Sequence, residues 1–230
     1  MPRYVIRHTG NAPNWVAADT CGIDFFHPSS SDHRPHTIVR AVTAAGQLWV
    51  RFDVNDRYVR SIFTTYLDPV YRDSCVEFFV RPDARSGYFN FEVNCGGTLL
   101  LYYIQDWRRK GDSFERFRPV KYDDARDIVV SHTLPQVVEP EIPQPVTWSV
   151  TLAIPLVMLQ RYLGSPLTLE RPWRGNFYKC GDDTSHPHWA AWAPIGERLD
   201  FHQPEQFGEL VLDTAAAEDR QPTAGPKRGR

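Results

Sequence analysis

The chain has 230 residues, of which 13% are aromatic and only 2 are Met. Its formal net charge is −2, and because residues 214–230 hold four cationic and two anionic side chains, residues 1–213 carry a charge of −4. An aromatic-rich chain of this length can form one β-domain with a substantial core, and its acidic balance argues against a nucleic-acid surface.

Several segments alternate apolar and polar residues, which is the pattern of half-buried strands. In chain order, the pattern predicts strands at residues 4–6, 37–43, 48–54, 75–81, 88–95, 99–103, 128–132, 146–154, 175–180, 188–192 and 208–213. Between the strands predicted at 99–103 and 128–132, residues 106–127 are charged and aromatic, and we expect them to form a long excursion over one end of the sheets.

We predict one helix in the chain, at residues 155–163, because Pro155 suits a first helical turn and Gly164 suits a C-terminal cap. Residues 214–230 lack apolar side chains and are predicted to be disordered. Many short strands with one short helix predict an all-β protein, a two-sheet antiparallel β-sandwich that occupies residues 1–213 as a single domain.

The four cysteines lie far apart and show no C-x-x-C spacing. We expect free thiols rather than a disulfide framework, with Cys75 and Cys95 buried. The first residues lack the apolar run of a signal peptide, and no segment is long enough to cross a membrane. The sequence therefore predicts an intracellular protein, cytoplasmic by default, with no membrane partner.

The strands at 75–81 and 88–95 hold the side chains of greatest functional interest. Every second residue of the first strand is apolar, which leaves Glu77 on the other face, and Asn90, Glu92 and Asn94 share the polar face of the second. Carboxylates and amides bond sugar hydroxyls, and neighbouring aromatic rings stack on sugar C–H faces. A solvated sheet face has the same pattern, and the pattern alone favours that simpler interpretation.

Two other chemistries are compatible with the residues. Glu77 and Glu92 can be interpreted as the acid pair of a glycoside hydrolase. A metal site is suggested by Cys180, Asp182, His186 and His188. Pro187 between the histidines is typical of a turn, so we expect no metal or cofactor there, and a structural calcium is not assignable to particular residues.

Six segments, in their order and spacing, resemble the family 9 carbohydrate-binding modules and their family-9-like relatives in the wider DOMON-like superfamily, over about residues 36–213. The segments are Leu48–Asp56 (LWVRFDVND), Asp73–Val80 (DSCVEFFV), Tyr88–Asn94 (YFNFEVN), Trp148–Leu156 (WSVTLAIPL), Gly175–Gly181 (GNFYKCG) and Pro204–Leu210 (PEQFGEL). The resemblance implies a jelly-roll-like sandwich that binds glucan or xylan ends without cleaving them, as an accessory to glycoside hydrolases.

The resemblance also implies a set of binding residues. In the family two aromatic rings sandwich the sugar, and their positions match Tyr71 and Phe201, while the binding carboxylate matches Glu77. Both aromatics are smaller than the usual tryptophans, Glu92 stands where related members carry an arginine, and the D-S-C-V-E stretch has one extra residue. We predict a carbohydrate site formed by Tyr71, Glu77, Glu92, Asn94 and Phe201, with no catalytic residues.

Three functions therefore fit the sequence: a non-catalytic carbohydrate-binding domain, which we expect, a sugar-active enzyme acting through Glu77 and Glu92, and a degenerate structural or interaction domain of the same fold. Polar neighbours on its own face predict an ordinary ionised carboxylate at Glu92, which argues against acid catalysis. Trp189 and Trp192 are the next candidates for a ligand contact. The sequence does not identify the sugar.

Overall fold

A computed structural model describes residues 1–111 and 113–213, and the predicted tail at 214–230 lies outside the described residues. Within these ranges no helix has the length and apolar character needed to cross a membrane. The helices are α1 (Tyr122–Ala125) and α2 (Leu156–Leu163), with 3-10 turns at Val70–Arg72 and Pro204–Gln206. The strands are β1 (Arg3–His8), β2 (Thr20–Gly22), β3 (Phe25–Phe26), β4 (His36–Ala44), β5 (Gln47–Asp56), β6 (Val59–Ser61), β7 (Cys75–Arg81), β8 (Tyr88–Asn94), β9 (Leu99–Lys110), β10 (Ser113–Pro119), β11 (Val129–His132), β12 (Val138–Ile142), β13 (Val146–Pro155), β14 (Trp173–Cys180), β15 (Trp189–Ala191) and β16 (Gly208–Leu212).

The strands form a sandwich of two sheets joined by β1, which confirms the all-β fold predicted from the sequence. The site sheet has the order β10-β9-β8-β7-β14-β16-β1, with β15 and β3 beside β14, and the back sheet has the order β1-β4-β5-β13-β11, with β2 beside β4. β1 pairs in parallel with β16 through its first half and with β4 through its second half. The other pairings among the described strands are antiparallel, including the small β6–β12 pair.

The core lies between the two sheets and is filled by the apolar sides of the alternating strands. Phe78 of β7 stacks on Phe177 of β14 with ring centroids 5.1 Å apart, and Phe177 meets Phe52 of the back sheet at 6.2 Å. Each of these rings is fully buried, which contributes roughly 1.5–3 kcal/mol per side chain. Because alternate residues take opposite faces, this core fixes the polar residues of β7 and β8 on the outward face of the site sheet.

One polar cluster is buried within the core. Lys179 of β14 places its Nζ 3.4 Å from Oδ2 of Asp56 and 2.7 Å from Nε2 of His188. Trp148 Nε1 donates to Asp56 Oδ2 at 3.1 Å, and His33 Nε2 lies 2.7 Å from Asp56 Oδ1. Burial alone would raise the pKa of Asp56, but Lys179 and His33 hold it well below its usual range. The cluster joins β14 to the end of β5.

Two local predictions need correction. Residues 106–127 are not an irregular excursion, since β9 continues to Lys110 and pairs with β10 as a hairpin, followed by the short helix α1. The predicted helix is present as α2, but Pro155 is the last residue of β13 and caps the helix instead of lying in its first turn. Gly164 ends α2 in the left-handed conformation, with a φ of 69°, as its C-terminal position requires.

Candidate functional site

A cavity of about 550 Å³ opens on the outward face of the site sheet. Its floor comes from β7, β8, β9 and β14, and its walls come from the β9–β10 hairpin and from the segments around residues 67–71, 182–189 and 199–202. The lining residues are Leu67, Pro69, Tyr71, Glu77, Asn90, Glu92, Leu100, Tyr102, Arg109, Ser113, Phe114, Phe117, Cys180, Asp182, Trp189, Leu199, Asp200, Phe201 and His202.

The face that forms the floor is buried, so the simpler interpretation of a solvated sheet face is wrong. Phe79, Tyr88 and Tyr178 point outward from the site sheet and pack with Phe207, which the chain brings over them after β15. This outer cluster encloses the polar side chains that alternate with it. Strand alternation shows which face a residue takes, but burial here depends on covering segments far away in the sequence.

Two acidic side chains lie at the centre of the floor. Glu77 of β7 and Glu92 of β8 are directly opposite one another across the strand pair, and their exposed fractions are 3% and 4%. Asn90 Nδ2 donates to Glu92 Oε1 at 2.7 Å, and Cys180 Sγ donates to Glu77 Oε1 at 3.1 Å. Glu92 Oε2 is buried and has no hydrogen-bond partner within the described chain.

The setting of these carboxyl groups changes their protonation. Burial raises the pKa of Glu77 well above its usual range, and the neighbouring Cys180 and Glu92 raise it further. Burial also raises the pKa of Glu92 to about 8, despite the opposing hydrogen bond from Asn90. The expectation that Glu92 is an ordinary ionised carboxylate is therefore wrong, because the loss of water around it outweighs its polar neighbours.

A third carboxyl group, that of Asp182, lies beside the pair. It accepts a hydrogen bond from Trp189 Nε1 at 2.7 Å, and burial raises its pKa to about 6. Asp182 and Glu92 interact strongly enough that Asp182 raises the pKa of Glu92. Sequence reasoning considered Asp182 only as a metal ligand and did not include it in the site. Asp182 follows the end of β14 at a turn, and nothing in the local sequence indicates that its side chain lines the cavity.

The two predicted aromatic residues lie on separate walls of the cavity. Tyr71 is in the 3-10 turn Val70–Arg72 and is 39% exposed, and its carbonyl oxygen accepts a hydrogen bond from the Asp182 amide at 3.1 Å. Phe201 stacks on Tyr178 with ring centroids 4.1 Å apart and planes 9° apart. Tyr178 Oη also donates to the Phe201 carbonyl oxygen at 2.9 Å, which fixes this wall to the sheet.

Four of the five predicted site residues thus line the cavity, and Asn94 does not. Asn94 Nδ2 donates to the Phe63 carbonyl oxygen at 2.8 Å and to Asp73 Oδ2 at 3.0 Å, while its Oδ1 accepts from the Thr98 amide. The prediction placed Asn94 on the correct face of β8. At that end of the strand, however, the connection before β7 covers the face and takes up the amide group.

Of the two alternative tryptophans, Trp189 lines the cavity and Trp192 does not. Trp192 is buried in the main core, where its ring lies 5.5 Å from Phe177. A further cavity residue that sequence reasoning missed is Arg109 in β9, whose Nη2 lies 2.9 Å from Asp200 Oδ1. That ion pair joins the β9–β10 hairpin to the wall that carries Phe201. Its two residues are 91 positions apart in the chain, so no local sequence pattern indicates that they pair.

The residues that the sequence suggested for a metal site do not converge, because they lie on opposite sides of the site sheet. Cys180 and Asp182 line the cavity, whereas His188 lies beside Lys179 in the core, where burial lowers its pKa to about 3. A different set converges instead, since the ligand atoms of Cys75, Glu77 and Cys180 lie within 4.8 Å of one another. Burial raises the pKa of both thiols, which disfavours the thiolate that a metal would need.

All four cysteines are free, and Cys75 and Cys95 are buried, as the sequence predicted. Cys75 and Cys180 are directly opposite each other on β7 and β14 beneath the cavity. Cys95 lies in the main core. The thiols are therefore part of the packing of the site sheet.

Comparison with known proteins gives one family match and several similar structures. The sequence profile of carbohydrate-binding family 9 matches residues 14–212. No curated protein matches the chain. A candidate carbohydrate-binding protein from Bacteroides uniformis ATCC 8492 has a similar structure, with a TM-score of 0.79, 24% identity, and coverage of 92% of this chain and 99% of that one.

Two similar structures come from a family 9 carbohydrate-binding module of Caldicellulosiruptor kristjanssonii. The complex with cellotriose has a TM-score of 0.60 at 13% identity and covers 100% of both chains. The complex with glucose has a TM-score of 0.59 at 12% identity and covers 98% of this chain and 100% of that one. At these identities the likeness to each structure concerns the fold.

Proposed function

This chain belongs to carbohydrate-binding family 9, and we propose that its cavity binds the end of a saccharide between Tyr71 and Phe201, above Glu77 and Glu92. The observation that carries this proposal is the convergence of aromatic rings and buried carboxyl groups in one cavity, within the part of the chain that matches the family. A cavity of this volume suits a small ligand or the terminal part of an oligosaccharide.

The chemistry of the lining supports a sugar. A pyranose ring presents hydroxyl groups around its edge and C–H groups on its faces, so it needs polar partners in one plane and apolar surfaces above and below. Glu77, Glu92 and Asp182 supply oxygen atoms on the floor, and Tyr71 and Phe201 supply rings from two walls. The similar module structures with bound glucose and cellotriose support a glucose-based ligand, and association with a glycoside hydrolase stays a prediction.

Calorimetric titration with glucose and cellotriose tests the proposal. Tyr71→Ala and Phe201→Leu each remove a stacking surface, and we expect affinity to fall about three- to tenfold. Glu77→Leu removes both carboxyl oxygens at similar size, and the loss of a hydrogen bond to the sugar should lower affinity by up to about tenfold.

Tyr122→Ala provides a matched control, because Tyr122 is 65% exposed and does not line the cavity. It should bind like the unmodified protein. Circular dichroism and thermal melts establish that each variant is folded. If all three cavity variants are folded and bind with unchanged affinity, the sugar site lies elsewhere on the molecule.

A glycosidase is the second candidate, because Glu77 and Glu92 are adjacent and have raised pKa values. Directly opposed residues of a strand pair are close enough for their carboxyl groups to reach the separation of about 5–5.5 Å found in retaining enzymes. Cleavage, however, needs an ionised carboxylate together with a protonated one, on two sides of the bond. Here both acids rise from one floor, and burial favours the neutral form of each.

We therefore expect no release of reducing ends from cello- or xylo-oligosaccharides beyond that of the Glu77→Gln/Glu92→Gln double variant. The unmodified protein and the double variant are incubated under the same conditions, and products are separated by chromatography. Turnover that is present in the first and absent in the second would make this protein a glycosidase.

A further inference from the structure

The cavity contains more acidic than basic groups, and the excess is unpaired. Its lining has four carboxyl groups and one permanently charged cation, Arg109, among the described residues. Arg109 is bonded to Asp200 at 2.9 Å, and Asp200 also meets Arg198 at 3.0 Å. The remaining three acids, Glu77, Glu92 and Asp182, form no salt bridge within the described ranges.

One carboxyl oxygen of Glu92, a lining residue of this acidic cavity, has no hydrogen-bond partner among the described residues. The residue is 4% exposed and lines the cavity, and Asn90 satisfies only its Oε1. Its Oε2 has no hydrogen-bond partner among the described atoms. A buried polar atom left without a partner costs about 1–3 kcal/mol, so a donor that reaches Oε2 gains correspondingly.

Among the described residues, no unpaired permanent cation borders Glu92 in the cavity. Glu77 faces it from β7, Cys180 from β14, and Asp182 from the turn after β14, while Tyr71 and Tyr102 border the same space. Arg72 is close enough to lower the pKa of Asp182, but it is paired with Asp183 at 2.6 Å and does not line the cavity. Lys179, the residue before Cys180, lies on the opposite face of β14 in the core.

We propose that the cavity prefers saccharides that carry an ammonium group, such as glucosamine and its oligosaccharides, over neutral saccharides with the same ring and linkage. This inference rests on the proposed sugar-binding function. An ammonium group has three donors, enough for Glu92 Oε2 and two further oxygens from the acidic trio. Hydrogen bonds between charged groups are about twice as strong as neutral ones.

Proton release is a second consequence of the same arrangement. In the free protein, burial favours the neutral form of Glu77 and Glu92. A bound ammonium group favours their ionised form, so binding lowers their pKa values and releases protons. A neutral sugar brings no such charge, and its binding leaves these carboxyl groups protonated.

The test compares three ligands that share β-1,4 linkage and ring geometry: the glucosamine trimer, the N-acetylglucosamine trimer and cellotriose. Calorimetry at a pH where the amine is protonated should show the glucosamine trimer binding at least about tenfold more tightly than either neutral trimer. Repeating the titration in buffers of different ionisation enthalpy should show proton release for the glucosamine trimer only.

The Glu92→Gln variant tests whether Glu92 is responsible for the preference for an ammonium group. Glutamine keeps the shape and the Asn90 contact but cannot ionise, so affinity for the glucosamine trimer should fall about ten- to a hundredfold, and the preference for that trimer over cellotriose should be lost. Glu170→Gln is the matched control, because Glu170 is exposed and does not line the cavity, and it should leave all three affinities unchanged.

Three results would overturn the inference. If cellotriose binds as tightly as the glucosamine trimer, or if Glu92→Gln weakens both alike, the cavity is a site for neutral sugars and the proposed function stands without the ammonium preference. If no trimer binds to the unmodified protein, both proposals fail.

Discussion

Lys179 and Asp56 meet between the two sheets, and neither side chain exposes any surface to water. A buried pair is retained only where each charge has its partner, since the loss of water around an ion is costly. The sequence gives no sign of this pair, because Lys179 occupies a core position of β14 that alternation would assign to an apolar residue. Its partner lies at the end of β5, in the other sheet.

Removing one charge of this pair should destabilise the protein more than removing both charges. Asp56→Asn leaves a buried ammonium without its counter-ion, and we expect a loss of about 3–5 kcal/mol in the free energy of unfolding. The double variant Asp56→Asn/Lys179→Met removes both charges and should recover a large part of that loss. Urea denaturation measures both, and a double variant less stable than Asp56→Asn alone would contradict the interpretation.

The site residues show the same division between local and distant information. Strand alternation and family resemblance predict Tyr71, Glu77, Glu92 and Phe201 as site residues, and the structure brings all four to one cavity. The ionisation of Glu92 could not be inferred, because the burial that raises its pKa occurs in a cavity whose walls come from separate parts of the chain. Whether the four contact a ligand stays a prediction.

At the level of strands and helices, residues with strict alternation were the most predictable. β5 alternates apolar and polar residues from Val50 to Asn55, and its back-sheet partner β13 does so from Val146 to Leu152. The β9–β10 hairpin escaped prediction because its outer half is charged and exposed, so neither strand shows an apolar face there. Its stability depends instead on contacts such as Arg109 with Asp200 and with the ring of Phe114.

The hairpin matters to function because it turns a flat sheet face into a cavity. Arg109, Ser113, Phe114 and Phe117 line one wall, and the rest of the site lies on β7, β8 and β14. A strand-rich floor is rigid, since each strand is bonded on both sides. The acidic groups of the site are therefore held in place by the sheet, whereas its aromatic contacts come from the turns and loops around the sheet.

For the molecule as a whole, the buried acids of the cavity make stability depend on pH. The unfolded chain ionises Glu92 near its ordinary pKa of 4.5, whereas the folded chain does so only near 8, so the stabilisation by its neutral form is complete below 4.5 and is lost as the pH rises through 8. Glu77 shifts in the same direction. His188, with its pKa lowered from 6.5 to about 3, is neutral in both states above 6.5 and adds no slope there.

We therefore expect the free energy of unfolding to fall between pH 6.5 and 8, by up to about 1.4 kcal/mol per pH unit for each buried acid. Urea denaturation at several pH values in this window measures the slope. Glu92→Gln should make it shallower, and Glu170→Gln should leave it unchanged. A stability that rises with pH over this window would contradict the protonation states assigned to the cavity floor.

The parallel pairing of β1 with β16 brings Arg3 beside Glu209 and Ile6 beside Leu212. The first and last strands of the sandwich are therefore neighbours, and the site sheet is complete only when both have been synthesised. Folding must close a loop of nearly the entire domain, which is characteristic of slow-folding topologies. Because the two strands are parallel, the chain enters at the start of β1 and leaves at the end of β16, which are opposite ends of the pair. A polypeptide attached at both ends would therefore pull these two strands in shear.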